Sequence, residues 1–240
     1  METEPLLLRC AVVGRGRMGT ALAARLRDAG VHVCGPLGRE PGLGAIDVVL
    51  LAVPDAEIAT AAAAVPHGPL VGHLSGATTL APLAPHEAFS LHPLMTVTGE
   101  STSFAGAAAA VAGSTGRALA VATRTAELLG LRPIEVADAD RAAYHAAASI
   151  AANFLVALEA AAERLAQTAG VDRAALAPLV EAAAANWARD GAAALTGPIA
   201  RGDGETVERQ RAAVAQRCPE LLDAWDALAA LTRDVASVPA

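Results

Sequence analysis

Residues 10–19 read CAVVGRGRMG, and this stretch decides the fold of the first part of the chain. The apolar run Leu6–Val13 leads into it and is typical of a short buried strand. Three glycines follow at G-x-G-x-x-G spacing: Gly14, Gly16 and Gly19. From Met18 to Ala29 the chain is rich in alanine and leucine, which predicts a helix. The stretch is therefore a strand, a glycine turn and a helix.

Each glycine has a physical role where such a turn binds a dinucleotide. Gly14 allows the tight turn, Gly16 lets the backbone approach a pyrophosphate, and Gly19 lets the helix pack closely on the strand. The first turn of the helix offers free N–H groups and a partial positive charge to phosphates. We therefore expect the turn to bind a dinucleotide, with Arg15, Arg17 and Met18 among the cofactor-binding residues. The alternative is a glycine-rich turn without a ligand.

The residues after the second strand indicate which dinucleotide binds. In this fold an acidic side chain near the end of that strand bonds the ribose 2′-hydroxyl. The strand is predicted at residues 31–34, and the first carboxylate after it is Glu40. Arg39 lies next to that position, and arginine suits a 2′-phosphate. The sequence predicts NADP rather than NAD, unless Arg39 is simply a solvated loop residue.

Composition excludes several classes of protein. Hydrophobic residues make up 54% of the 240 residues, and the net charge of −7 argues against nucleic-acid binding. Since no uninterrupted apolar run of about 18 residues occurs, we expect no membrane-spanning segment. The acidic start does not resemble a secretory signal, and the three scattered cysteines suit a reducing cytoplasm. All 18 basic residues are arginine, so chemistry that needs a lysine is excluded.

Strands alternate with helices as far as residue 137, which predicts an α/β fold with a Rossmann-type, mostly parallel sheet. After residue 137 the pattern is helical only, so residues 138–240 are expected to form a second, all-helical domain. The further predicted strands are 47–53, 70–74, 89–92, 107–112 and 132–136. The predicted helices are 56–64, 115–129, 138–169, 172–195, 205–216 and 219–235.

Polar residues stand where the predicted strands end, which is where ligands bind in open α/β sheets. Val53 and Pro54 are expected to line the cofactor site, and Asp55 to cap the helix that follows. Ser75 is expected to contact cofactor and substrate, and Gly76 to offer its N–H to the substrate. His92 ends the next strand and could donate a proton, unless it only bonds loop backbone.

The first helix of the second domain carries a polar stripe at a spacing of four: His145, Ser149 and Asn153. Residues so spaced lie near one side of a helix. We expect this stripe to be catalytic, with His145 as general acid. Tyr144, the neighbouring residue, is expected to point about 100° away. The alternative is a buried hydrogen-bond network.

The loop from Leu195 to Val207 contains a third candidate. Arg201 stands beside glycines and before a helix, so we expect it to bind the carboxylate of the substrate. Asp203 is expected to cap that helix. The alternative is an ordinary surface turn.

The chain resembles a family of Rossmann-like proteins with a helical C-terminal domain of unknown function. The resemblance rests on GRGRMGTALAARLRDAG, LLAVPD, HLSGA, LHPL, AYHAAASIAANF and LTGPIARGDGETV, which together span almost the whole chain. The family is similar to the 6-phosphogluconate, 3-hydroxyisobutyrate, ketopantoate and pyrroline-5-carboxylate reductase and dehydrogenase group. The resemblance implies an NADP-binding domain, a helical domain and a dimer. Where the dehydrogenases carry a lysine, four residues before an asparagine, this chain has Ser149.

The sequence thus favours an NADPH-dependent oxidoreductase that reduces the carbonyl or imine carbon of a small carboxylate-bearing substrate, with ketopantoate as one candidate. Two alternatives remain open: an NADP-binding sensor or scaffold without turnover, and an enzyme like prephenate dehydrogenase. No metal site is expected. Because the predicted helices are apolar on more than one face, we expect a homodimer through the helical domain.

Overall fold

The computed structural model of the protein describes residues 9–38 and 43–237. Within them, a seven-stranded sheet has the order β2-β1-β3-β4-β5-β6-β7. Its strands are β1 (Arg9–Val13), β2 (His32–Leu37), β3 (Val48–Leu51), β4 (Leu70–His73), β5 (Ala88–Pro93), β6 (Ala108–Gly113) and β7 (Arg132–Glu135). The predicted α/β class and Rossmann-type sheet are confirmed.

The first five strands are parallel, so their carboxyl ends lie along one edge of the sheet. Strand β6 runs antiparallel to β5, and β7 is parallel to β6. The segment between β5 and β6, residues 94–107, contains no helix. A parallel neighbour would need a crossover connection of a dozen or more residues, usually helical, so this chain instead returns in the opposite direction.

Helices cover both faces of the sheet. Helices α1 (Arg17–Asp28) and α3 (Gly116–Leu128) pack on one face, where Leu22 and Val121 join a core that includes Val12. The short helix α2 (Ile58–Ala63) packs on the other face. Alternate residues of a strand point to opposite faces, so β3 is apolar throughout, whereas β4 and β5 also carry the buried polar residues His73 and Ser90.

Strand β2 is longer than the sequence indicated. It was expected to end at residue 34 but continues to Leu37, because Gly35 tolerates a φ of +124° and approaches the Val12 backbone closely. The first part of the predicted opening strand, residues 6–8, lies outside the described residues. So does Arg39, whose expected role in cofactor choice stays a prediction.

The chain divides into two compact units, Met1–Ile150 and Ala151–Ala240. This division falls after the boundary expected at residues 137 and 138. The first unit keeps a 3₁₀ turn (Asp138–Asp140) and helix α4 (Arg141–Ser149), because Arg141 and Tyr144 bond residues of the sheet.

The described part of the second unit is helical, as predicted. It contains α5 (Leu155–Gln167), α6 (Arg173–Asp190), α7 (Gly204–Arg217) and α8 (Leu222–Ser237). A π-helical segment, Ile150–Phe154, comes between α4 and α5 in the chain. A π-helix bonds each residue to the fifth residue along the chain instead of the fourth, so the hydrogen-bond pattern changes between Ser149 and Asn153, and the catalytic role of their stripe stays a prediction.

The helical run Asp138–Gln167 is long and apolar enough to cross a membrane by length and composition. Its most apolar window has a mean hydropathy of 1.4, and 0% of that window is buried. The sequence predicted this helix, but the criterion for a membrane span counted only uninterrupted apolar runs and therefore did not register it as a candidate. Helices that bury an apolar face against protein pass the same test, so one such helix is weak evidence for a membrane protein.

Candidate functional site

The glycine turn after β1 has the geometry that its spacing predicts. Gly14 has a φ of +119°, and a Cβ there would lie 2.1 Å from the carbonyl oxygen of Ala52. A Cβ at Gly19 would lie 2.0 Å from the carbonyl oxygen of Gly14. A Cβ at Gly16 would meet nothing within 4 Å. Gly14 and Gly19 are thus required by close backbone packing, whereas Gly16 leaves its backbone open.

A cleft of about 810 Å³ opens beside this turn, at the carboxyl ends of β1, β2 and β3. It is lined by Val13, Gly14, Arg15, Gly16, Leu37, Gly38, Ala52, Val53, Pro54, Glu57, Thr60, Ala61 and Ala64. Helix α1 begins at Arg17, with Gly16 as its N-cap. The open backbone at Gly16 and this helix end fit the phosphates of a dinucleotide. Met18 is half-buried against the core instead.

Arg15 lies at the end of the cleft nearest β2. Its guanidinium carbon is 3.7 Å from the position that a Cβ would take at Gly38, just after β2. From the start of β2 to Gly38, residues 32–38, no carboxylate occurs. A positive group without an acidic neighbour in that segment suits a 2′-phosphate better than a 2′-hydroxyl.

A second group of polar residues stands at the same edge of the sheet, where β4 and β5 end. Strand β5 is three strand spacings from β1, about 14 Å. There the Tyr144 hydroxyl lies 2.8 Å from Nδ1 of His92, with the two rings perpendicular. The ring of His145 is 6.0 Å from that of His92. The expectation that Tyr144 points away from the site is therefore wrong, since His92 lies within reach of both helix residues.

Gly76 lies between the two imidazoles. A Cβ there would lie 2.9 Å from Nε2 of His92 and 2.7 Å from Cδ2 of His145. Since the φ of Gly76 is not positive, the glycine is required for space and not for backbone conformation. Its backbone thus borders both rings, and its expected N–H contact with the substrate stays a prediction.

Ser75 has a different role from the one expected. Its hydroxyl donates to Asp55 at 2.7 Å and accepts from the backbone N–H groups of Ala77 and Thr78 at 3.2 and 2.9 Å. Asp55 consequently bonds Ser75 and does not cap the helix after it. The Ser75 side chain is therefore engaged in holding the turn after β4, and the backbone of this turn is what faces the site.

Arg141 anchors helix α4 to the ends of two strands. It is only 1% exposed, yet its guanidinium donates to the carbonyl oxygen of Ser75 at 3.1 Å and to the hydroxyl of Ser90. Its Nε donates to Asp138 at 3.0 Å, and Asp138 also accepts from the backbone N–H of Leu80. Because α4 is fixed at its first residue, Tyr144 and His145 are held one turn later beside His92.

Burial determines the protonation of the cluster. It lowers the pKa of His92 to about 4, and electrostatic interactions with nearby His145 and Arg141 act in the same direction. Burial also lowers the pKa of His73, whose ring bonds Thr79 and the Ser75 N–H inside the turn. Burial raises the pKa of the Tyr144 phenol, against the effect of Arg141. Near pH 7 the site therefore holds a neutral imidazole bonded to a neutral phenol.

The other predicted residues are Ser149, Asn153, Arg201 and Asp203. Ser149 ends α4 and is half-buried. Asn153 and Arg201 are exposed residues of the second unit, and their catalytic and carboxylate-binding roles remain predictions. Asp203 caps α7 by accepting from the Thr206 N–H at 3.1 Å, as expected.

Sequence reasoning missed Arg141 and set Tyr144 aside. The available signal was position: the arginine opens the helix directly after a two-aspartate turn, four residues before His145. Its partners Ser75 and Ser90 lie far away in the chain, so only the tertiary structure joins them.

The sheet, the glycine turn and the open cleft define the class: a Rossmann-type α/β protein with a helical second unit. Residues 107–232, just over half of the chain, match the family described as Domain of unknown function (DUF2520), and the chain belongs to this family. No curated protein matches it.

Solved structures share the fold. Protein BF3122 from Bacteroides fragilis, a candidate NADP oxidoreductase, is 16% identical with a TM-score of 0.79, covering 95% of this chain and 99% of its own. Protein TM1727 from Thermotoga maritima is 23% identical with a TM-score of 0.78, covering 95% and 98%. An imine reductase from Streptomyces aurantiacus is 16% identical with a TM-score of 0.64, covering 95% and 98%.

Proposed function

We propose that this protein is an NADP-dependent oxidoreductase that reduces the carbonyl or imine carbon of a small carboxylate-bearing substrate. The observation that carries the proposal is that two features lie at the same edge of the sheet. The glycine-turn cleft opens at β1, β2 and β3, and the His92, Tyr144 and His145 cluster stands where β5 ends. An extended dinucleotide bound in the cleft could reach that cluster over the strand spacing of about 14 Å.

The cofactor would bind through backbone and arginine. Gly14, Gly16 and the first turn of α1, which begins at Arg17, would hold the phosphates, and Val53 and Pro54 line the same cleft. Arg15 would hold the 2′-phosphate beside Gly38. When bound, NADPH supplies the hydride. The candidate NADP oxidoreductase among the similar structures supports this class of cofactor.

This chain's own residues would handle the proton and the substrate. The His92, Tyr144 and His145 cluster holds exchangeable protons next to the Gly76 backbone. Such groups accelerate reduction when they donate a proton to the developing alkoxide or amine. Asn153 and Arg201 would orient the substrate and bind its carboxylate. A 2-oxo acid such as ketopantoate and cyclic imino acids are the candidate substrates.

Turnover tests this proposal directly. The full-length protein is mixed with NADPH and a panel of 2-oxo acids and cyclic imines, and loss of NADPH absorbance is followed. Saturable oxidation with at least one compound is the expected result. Tight NADPH binding without turnover on any of them would overturn the proposal in favour of an NADP-binding sensor.

Cofactor preference gives a sharper prediction. We expect NADPH to bind more tightly than NADH, and Arg15→Ala to weaken NADPH binding about tenfold, which is about 1.4 kcal/mol, with little effect on NADH. The matched control is Arg124→Ala, an exposed arginine on α3. Isothermal titration of both cofactors measures the result. If Arg15→Ala weakens both cofactors equally, the assignment of the 2′-phosphate is wrong.

A further inference from the structure

The Tyr144–His92 pair has an arrangement that the sequence did not lead us to expect. The phenol oxygen and Nδ1 of His92 are 2.8 Å apart, and the ring centroids are 5.5 Å apart at 89°. On the far side of the imidazole, Nε2 lies beside the Gly76 backbone, and His92 is partly exposed. His92 thus has one ring nitrogen on the phenol and the other at the turn after β4.

We propose that Tyr144, and not His145, passes the proton to the substrate, and that Nδ1 of His92 restores it. This inference rests on the proposed function, because it assigns the proton step of that reaction. Of the two α4 residues beside His92, the phenol is the one hydrogen-bonded to it in the described part of the chain. The ring of His145 only stands edge-on to the imidazole.

The step balances without any residue changing its net charge. The phenol O–H bond breaks as a new O–H or N–H bond forms on the reduced substrate. The Nδ1–H bond of His92 then breaks, the phenol O–H bond re-forms, and Nε2 takes a proton from water. His92 has changed tautomer and stays neutral. One proton leaves the solvent and one reaches the substrate.

The charges around the pair favour this route. Burial lowers the pKa of His92 to about 4, so a relay that never forms the imidazolium suits the site. His145, Arg141 and His73 also disfavour a positive His92, whereas Asp55 opposes them. Burial keeps the proton on Tyr144, and the positive charge of Arg141 stabilises the phenolate that forms during transfer.

Tyr144 is the one tyrosine of the chain, so its ionisation can be measured without a substrate. The full-length protein, with and without saturating NADPH, is titrated with base while ultraviolet absorbance follows the phenol. An Nδ1–H donor stabilises a phenolate more strongly than a phenol, because hydrogen bonds to charged groups are stronger. We therefore expect His92→Phe to move the titration to higher pH by about one unit. His92→Asn keeps a donor near the position of Nδ1, so its titration midpoint should lie between those of His92→Phe and the unaltered protein.

The matched control for this titration is His32→Phe, which removes an exposed histidine on β2 and should leave the phenol titration in place. The same midpoint in His92→Phe as in the unaltered protein would overturn the inference, whatever the activity. Circular dichroism of each variant excludes loss of folding as the cause of a shift.

Turnover with the active substrate of the panel is the second measurement. We expect Tyr144→Phe to lower turnover about 10²–10⁴-fold with NADPH affinity unchanged within about twofold. Full turnover in Tyr144→Phe would overturn the inference and leave the proposed function intact. Absence of turnover in the unaltered protein is the separate result that overturns the proposed function, and this inference with it.

Discussion

At the scale of single residues, His92 shows how burial sets chemistry. Its imidazole lies between Tyr144 and His145 at the end of β5, and burial lowers its pKa to about 4. A histidine in an unfolded chain titrates near pH 6.5. Below pH 6.5 the unfolded chain therefore binds a proton that the folded chain does not. The contribution of His92 to stability is complete above pH 6.5 and is lost as the pH falls towards 4.

This difference predicts a measurable pH dependence. Replacing His92 with asparagine should flatten the fall in the free energy of unfolding between pH 7 and pH 4 by up to about 3 kcal/mol. Urea unfolding at a series of pH values measures the slope. Some pH dependence of the free energy of unfolding should persist in this variant, because burial also lowers the pKa of His73.

The control for this slope is His32→Asn at an exposed position of β2. It should follow the unaltered protein over the whole pH range. Parallel curves for His92→Asn and the unaltered protein would mean that His92 titrates alike in the folded and unfolded chains, which would contradict the buried, neutral imidazole.

At the scale of elements, the buried side chain of Arg141 links α4 to the sheet, in addition to the hydrogen bond between Tyr144 and His92. Arg141 bonds Asp138 in the preceding turn, the Ser75 carbonyl after β4 and the Ser90 hydroxyl in β5. A buried guanidinium is costly unless its donors find partners, and these partners satisfy it. Its planar fork of donors allows one residue to bond three separate segments.

Removal of this anchor should be strongly destabilising. We expect Arg141→Gln to lower the free energy of unfolding by about 3–5 kcal/mol, because buried acceptors lose their donors. Arg141→Lys should keep only part of the lost free energy of unfolding, since lysine retains the charge but lacks the planar set of guanidinium donors. Thermal and urea unfolding measure both variants. Arg124→Gln, an exposed position on α3, serves as control and should stay within about 0.5 kcal/mol. An Arg141→Gln protein as stable as the control would refute the anchor.

At the scale of the whole molecule, the second unit leaves many large apolar side chains in solvent. Trp187 on α6 is 67% exposed, and Leu179 on the same helix is 68% exposed. They border a groove of about 390 Å³ together with Leu195 and Val235. Small domains have limited interior of their own, and exposed apolar patches mark surfaces that bind protein.

We propose that a second copy of the chain covers this surface. Light scattering at micromolar concentration should give twice the 24.0 kDa mass of one chain. Trp187→Asp should shift the mass towards the monomer, because a carboxylate in a buried apolar interface is costly. The control is Asp223→Asn on α8, which changes the net charge by one unit in the opposite direction. A monomeric unaltered protein, or one that is recovered only in detergent, would contradict the dimer.

The sequence by itself determined what depends on neighbours in the chain. The turn from β1 to α1 follows from three glycines, since only glycine allows the φ of Gly14 and the contact between Gly19 and the Gly14 carbonyl. The order of strands and helices followed from periodicity in the same way. The absence of a carboxylate in β2 can also be read from the sequence alone, and it is the reason why we propose NADP.

Only the tertiary structure decided what depends on residues far apart in the chain. Helical spacing placed Tyr144 away from His145, but the position of β5 beneath α4 brings His92 between them. Strand β6 is antiparallel because its connection lacks a helix, and Arg141 finds partners more than 50 residues away. Periodicity predicts the direction in which a side chain points from the axis of its own helix or strand. Its hydrogen-bond partners and its pKa depend on which other elements pack against that side.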